Sequence, residues 1–168
     1  IGQAVARRAL GFRMRVLYFD PGVSDVSLEG GPWVEKVGLE PLLENADFVS
    51  IHCPLNDQTH HLIGSGELEQ MKETAVLINS ARGPIVDEEA LVEALQKRQI
   101  AGAGLDVYER EPEMHSGLAA LDNVVLAPHI GSGTDETRIK MARIAVDAVV
   151  DCLSGKRPRH VVNPEVLQ

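Results

Sequence analysis

Apolar positions fall in short runs separated by polar breaks, and the runs alternate between two periods. Residues 1–11 recur at helical spacing and are read as a helix closed by Gly11 as its C-cap. Residues 14–19 form a strand-like run that stops at Asp20-Pro21-Gly22, an acid followed by a turn. Residues 24–38 carry Gly30-Gly31-Pro32 and little periodicity, which predicts a loop with one marginal element over 33–37. A short helix over 39–45 and a buried strand over 47–51 follow, then a helix over 67–72 and a strand over 75–79. Asp87 caps the next helix, with Glu88 and Glu89 in its first turn and Lys97-Arg98 at its end, complementing the helix dipole. Leu91, Ala94 and Leu95 give that helix its core face. Residues 100–107 are small, apolar and partly β-branched, as in a strand buried on both faces. Residues 113–121 read as a polar loop and 124–126 as a short strand. A long amphipathic helix over 135–153, with Lys140, Arg143, Asp147 and Asp151 on its polar face, is expected to pack on the sheet until Gly155 stops it.

Strands alternating with helices predict an α/β fold, a doubly wound, Rossmann-like parallel sheet. The opening helix, strand and terminal acid match the second half of a nucleotide-binding unit. There the last fingerprint glycine opens the helix and an acid about 20 residues on accepts the ribose hydroxyl. Gly2 and Asp20 occupy those places, and the first two glycines would precede residue 1. Asp20 reads equally well as a turn residue. The chain is therefore expected to begin inside something longer and to lack its first strand. That strand is central in the order 3-2-1-4-5-6, so residues 14–19 and 75–79 should flank a gap, filled by upstream residues or a neighbouring chain. Residues 1–156 are read as a nucleotide-binding domain and 157–168 as a C-terminal segment returning to a second, mostly absent domain.

Composition narrows the function classes. A net charge of −9 and no basic run longer than pairs such as Lys97-Arg98 and Lys156-Arg157 argue against a nucleic-acid partner. No apolar run approaches the roughly 20 residues of a membrane span, and no signal pattern opens the chain, so a cytoplasmic protein is expected. Cys53 and Cys152 lie far apart and are read as a reduced pair.

Candidate chemistry gathers where predicted strands end, the edge at which open α/β sheets bind ligands. Asp106 ends the strand over 100–107, and Glu111 follows on its outgoing loop. Glu109, Arg110 and Glu111 can also be read as a solvated turn. Arg82 stands past the strand over 75–79, beside Gly83, where a guanidinium could hold a carboxylate bidentately or salt-bridge at a helix start. His129 follows the strand over 124–126. His52-Cys53-Pro54 leaves the strand over 47–51. His52, Cys53, His60 and His61 lack zinc-ligand spacing, so no metal is expected, and His60 and His61 are read as a surface turn. Three strand-end groups fit one reaction: Arg82 binds a carboxylate and polarises a carbonyl, His129 passes a proton, and Glu111 orients the imidazole and favours its charged form. Beside a dinucleotide, this describes hydride reduction of a 2-keto acid.

The chain resembles the D-isomer-specific 2-hydroxyacid dehydrogenases over nearly its whole length. Ile78-Asn79-Ser80-Ala81-Arg82-Gly83 is similar to the family's arginine motif, Asp106-Val107-Tyr108-Glu109-Arg110-Glu111-Pro112 to its acid motif, and Pro128-His129-Ile130-Gly131-Ser132 to its histidine motif. The resemblance implies Arg82, Glu111 and His129 as the catalytic set. It also implies cofactor contacts at Gly2, Asp20, His52, Cys53, Pro54, Ala81, Arg82, Asp106, His129 and Gly131. NAD is the implied cofactor, since the Asp20 carboxylate would repel the 2′-phosphate of NADP. Glyoxylate or hydroxypyruvate is the first expectation for the substrate and 3-phosphoglycerate the second, with a homodimer as the assembly. Rival readings are a nucleotide-sensing corepressor similar to the C-terminal-binding proteins and a piece with no activity of its own. A formate dehydrogenase is disfavoured, because a glutamine there replaces the acid at Glu111.

Overall fold

The structure, a computed structural model, describes residues 1–23 and 34–167. It divides into two compact units, Ile1–His129 and Ile130–Gln168. The first is α/β, with helices α1 (Gly2–Gly11), α2 (Leu39–Asn45), α3 (Ser65–Gln70) and α4 (Glu88–Gln96). Its strands are β1 (Val16–Tyr18), β2 (Val34–Lys36), β3 (Phe48–Ile51), β4 (Val76–Asn79), β5 (Gly102–Leu105) and β6 (Val124–Leu126). All strand pairs are parallel. β1 pairs with β2, and a separate four-stranded sheet runs in the order β3-β4-β5-β6. The Rossmann-like architecture expected from the alternation is present.

The core lies where α2, α3 and α4 meet the four-stranded sheet. Leu43 of α2, Leu68 of α3, Leu91 and Leu95 of α4, and Val49, Ile51, Leu77 and Leu105 of the strands are buried together. Apolar burial of this kind contributes about 25 cal/mol per Å² removed from water, which makes this face the main source of stability. Asp87 caps α4 as the sequence indicates, its carboxylate accepting from the Ala90 N–H at 3.0 Å.

Several expectations are corrected. β3 is buried on one face only, with exposure alternating along it, and Phe48 and Val125 are largely exposed, whereas β5 is buried nearly throughout, as read from residues 100–107. Gly11 closes the last turn of α1 but is not left-handed. Arg13, two residues on, holds the positive φ of 59°. The marginal element over 33–37 is a genuine strand, Val34–Lys36, paired in register with β1; Trp33 and residues 24–32 lie outside the described residues. That extra strand moves the expected gap. Residues 75–79 form β4, which has partners on both sides, and the edge strands of this sheet among the described residues are β3 and β6. The polar loop over 113–121 contains a short helical turn that buries Leu118 completely.

The second unit carries α5 (Asp135–Leu153). Thr134 caps it, its hydroxyl accepting from the Thr137 N–H. No residue of α5 is buried.

Candidate active site

The four-stranded sheet is parallel throughout, so β3, β4, β5 and β6 all deliver their outgoing loops to one edge. His52, Arg82, Asp106 and His129 follow these strands in turn. Each loop is shaped by a few specific groups.

Asn79, the last residue of β4, is 1 % exposed. Its side-chain amide donates to the Arg82 carbonyl at 2.9 Å and its oxygen accepts from the Ala81 N–H at 3.0 Å. A buried amide satisfied on both sides fixes the turn that carries Ala81 and Arg82. Gly83 follows with no alternative, because a Cβ there would lie 1.9 Å from the Tyr108 carbonyl oxygen. The arginine loop and the acid loop therefore touch through their backbones. The Asp106 N–H donates to the Asn79 carbonyl at 3.0 Å, joining the ends of β4 and β5.

In the acid loop, Glu111 uses both carboxylate oxygens. Oε1 accepts from the Tyr108 N–H at 3.1 Å, and Oε2 lies 2.7 Å from His129 Nδ1. His129, chiefly, holds the Glu111 carboxyl below its ordinary range, with lesser help from the Tyr108 N–H and the nearby Arg82 charge. An ionised carboxylate only accepts, so His129 Nδ1 carries the proton, and Nε2 is the nitrogen left to face a substrate. His129 has a φ of 53°, an unfavourable backbone state of the kind that collects at functional sites. Tyr108 also donates its hydroxyl to the Ala127 carbonyl at 2.8 Å, two residues before His129.

The expected cofactor contacts divide by location. His52, Cys53, Pro54, Ala81 and Arg82 line one cleft of about 450 Å³ with Ile1. Burial, foremost, lowers the His52 pKa and raises that of the Cys53 thiol. Asp20 adds to the Cys53 shift, which places its carboxylate near the same cleft. One Asp20 oxygen accepts from the Gly22 N–H at 2.8 Å, so both earlier readings of this acid, turn former and ligand group, are compatible with its position. At Gly2 a Cβ would sit 3.3 Å from the His52 Cβ, and the missing side chain lets α1 start against the end of β3. No side chain caps that first turn and no acid sits in it, so its N–H groups suit an anionic group. These features fit a dinucleotide. Gly131 belongs to the second unit.

Two residues of this site, Asn79 and Tyr108, have no role in the sequence reading, and Gly83, noted beside Arg82, makes its close approach to the Tyr108 backbone. Asn79 had a usable signal, a polar residue closing an otherwise apolar run, since a buried amide must be satisfied. The Tyr108 hydroxyl and the Gly83 contact depend on cross-loop distances that spacing does not carry.

Comparison with known proteins identifies the family. Residues 1–131 match the family described as D-isomer specific 2-hydroxyacid dehydrogenase, NAD binding domain. A glyoxylate reductase of Korarchaeum cryptofilum is 48% identical over 169 residues, which cover 100% of this chain and 51% of that protein. The structure of D-lactate dehydrogenase with NAD+ from Lactobacillus jensenii superposes with a TM-score of 0.83 at 32% identity, over 96% of this chain and 52% of that one. An NADPH-dependent glyoxylate/hydroxypyruvate reductase from Sinorhizobium meliloti, in complex with NADP and malonate, gives a TM-score of 0.83 at 36% identity, over 92% and 47%. The chain spans about half the length of the curated relatives it matches. With its motifs, its parallel sheet and a match of residues 1–131 to the NAD-binding domain, the chain belongs to the D-isomer specific 2-hydroxyacid dehydrogenase family.

Proposed function

We propose that the protein containing this chain reduces a small 2-keto acid to the D-2-hydroxy acid, and catalyses the reverse oxidation, with NAD(H). The observation that carries this is the Glu111–His129 pair at 2.7 Å, with Arg82 close enough to act on the Glu111 charge. Bound NADH supplies the hydride to the carbonyl carbon. His129 donates its Nε2 proton to the carbonyl oxygen as negative charge develops there, and Glu111 stabilises the imidazolium beforehand and fixes the ring. Arg82 takes the substrate carboxylate bidentately and polarises the carbonyl. His52, Cys53, Pro54 and Ala81 would give backbone contacts to the cofactor, and Asp106 would meet the nicotinamide carboxamide. Gly2 and Asp20 serve the pyrophosphate and the adenosine ribose.

The first-choice substrates are glyoxylate and hydroxypyruvate, supported by the names of the glyoxylate reductase relatives; 3-phosphoglycerate is the second. Residues 1–156 act as the cofactor domain and 157–168 as the return to a substrate domain. A homodimer is supported by the apolar side chains that α5 exposes, and a cytoplasmic location by the free Cys53 and Cys152, which reducing compartments preserve.

The test is NADH oxidation by the full-length protein with glyoxylate, hydroxypyruvate, pyruvate and 3-phosphohydroxypyruvate. Turnover should fall by roughly 10²–10⁴-fold in His129→Ala, the usual span for loss of a general acid. Full activity in that variant, or no turnover of any 2-keto acid, would remove the proposal.

A further inference from the structure

A second cluster of reactive side chains lies beside the acid loop, outside the site described above. His61 Nε2 is 2.7 Å from Glu109 Oε1, and His61 Nδ1 is 3.8 Å from Asp87 Oδ2. The His60 ring stacks on that of His61 at 4.1 Å. One ligand atom from each of His60, His61 and Glu109 can be chosen so that all three lie within 4.8 Å of one another. Sequence spacing shows only two adjacent histidines in a turn; Glu109 joins them from 48 positions away.

We propose that His60, His61 and Glu109 bind a borderline divalent cation of the zinc class, with water completing the shell. Two imidazoles and one carboxylate are a donor set that zinc takes, at about 2.0–2.2 Å from each atom. Tetrahedral geometry at those lengths separates neighbouring ligand atoms by about 3.3 Å. His61 Nε2 and Glu109 Oε1 are 2.7 Å apart and the three ligand atoms lie within 4.8 Å of one another, so side-chain rotations would bring them to that spacing. Asp87 supplies the outer group that such sites use. Its Oδ2 lies 3.8 Å from His61 Nδ1 while its Oδ1 is occupied capping α4; a cation arriving at Nε2 would displace the proton that Nε2 shares with Glu109 and leave Nδ1–H directed to Asp87. Hard cations such as magnesium prefer oxygen shells and would be rejected. Bound metal would tie the His60–His61 turn to the loop carrying Glu111.

The competing explanation is that protonated His61 merely bridges Asp87 and Glu109. His60 separates the two, because it is exposed and takes no part in those ion pairs. Calorimetric titration of the full-length protein with zinc chloride, with magnesium chloride as control, should show zinc binding and no magnesium response. Zinc affinity should fall by roughly tenfold or more in both His60→Ala and Glu109→Gln, with circular dichroism unchanged in His60→Ala. Zinc affinity unaltered in His60→Ala, or no zinc binding to the unmodified protein, overturns the proposal and leaves the cluster as an ion-paired clasp.

Discussion

At the scale of single residues, the Glu111–His129 contact sets a titration that can be measured directly. The Glu111 carboxyl ordinarily titrates near 4.5 and is held lower in the folded chain, chiefly by His129. A carboxyl depressed on folding stabilises the native state above its unfolded pKa, and that contribution disappears as the pH falls through the folded value. The pair is largely open to solvent, so its effect on stability is small, but the titration itself is sharp evidence. Carboxyl-carbon NMR should place the Glu111 midpoint below 4.5, and His129→Ala should move it upward; an unmoved midpoint would show that the imidazole is not its main partner. Asp20 governs a different choice. Relatives of this fold include an NADPH-dependent reductase and a dehydrogenase whose structure holds NAD+, so cofactor preference rests on local groups. In the full-length protein NAD should be preferred, and Asp20→Asn should narrow the ratio of kcat/KM for the two cofactors, since it removes the carboxylate that repels a 2′-phosphate. An unchanged ratio would reduce Asp20 to the turn residue that its bond to Gly22 already makes it.

At the scale of elements, what the sequence revealed depended on how strongly periodicity and capping coincided. α2, α5 and β6 match the residues read from apolar spacing, and the Asp87 cap agrees with the start of α4. β2 was barely legible because three residues, Val34–Lys36, carry too little alternation to separate a strand from a loop. Missing its weight in the strand count misplaced the expected gap by one strand. His60 and His61 were read as a surface turn because their partner Glu109 is distant in sequence. The loops also differ in tolerance. A Cβ at Gly83 would overlap the Tyr108 carbonyl oxygen at 1.9 Å, whereas one at Gly104 in β5 meets nothing within 4 Å. Gly83→Ala must push the arginine and acid loops apart, costing about 2–3 kcal/mol by the scale of overpacked interiors, and should weaken the Glu111–His129 geometry with it. Gly104→Ala should stay within about 1 kcal/mol and fall on the stabilising side, because alanine limits the unfolded chain. Urea denaturation of the two variants compares them directly, and equal midpoints would contradict the close approach.

At the scale of the whole chain, structural support is unevenly shared between the two units. The first has a contiguous core running through β3 to β5 and α2 to α4, including Leu43, Leu77, Leu95 and Ile100 at 0 % exposure. The second has α5, whose apolar residues are open to solvent: Ile139 is 61 % exposed, Val146 59 % and Leu153 85 %. The sequence announced the helix through its period but could not say what would cover it, because an amphipathic pattern records a buried face and not the identity of its partner. What holds α5 locally is the Thr134 cap and a Glu136–Lys140 pair at 2.8 Å. The cap contributes on the order of 1 kcal/mol and the pair a few tenths. Most helical stability comes from packing of an apolar face. Amides of α5 should therefore open at little cost, while those of β4 and β5 open only when the core does. Hydrogen exchange on the 168-residue chain should find the β4 and β5 amides slower than those of α5 by roughly a thousandfold or more. If α5 is protected as strongly as β4, its apolar face is covered in solution, and dilution decides by what: protection lost at low concentration identifies a second copy of the chain, and protection that persists identifies cover from within it.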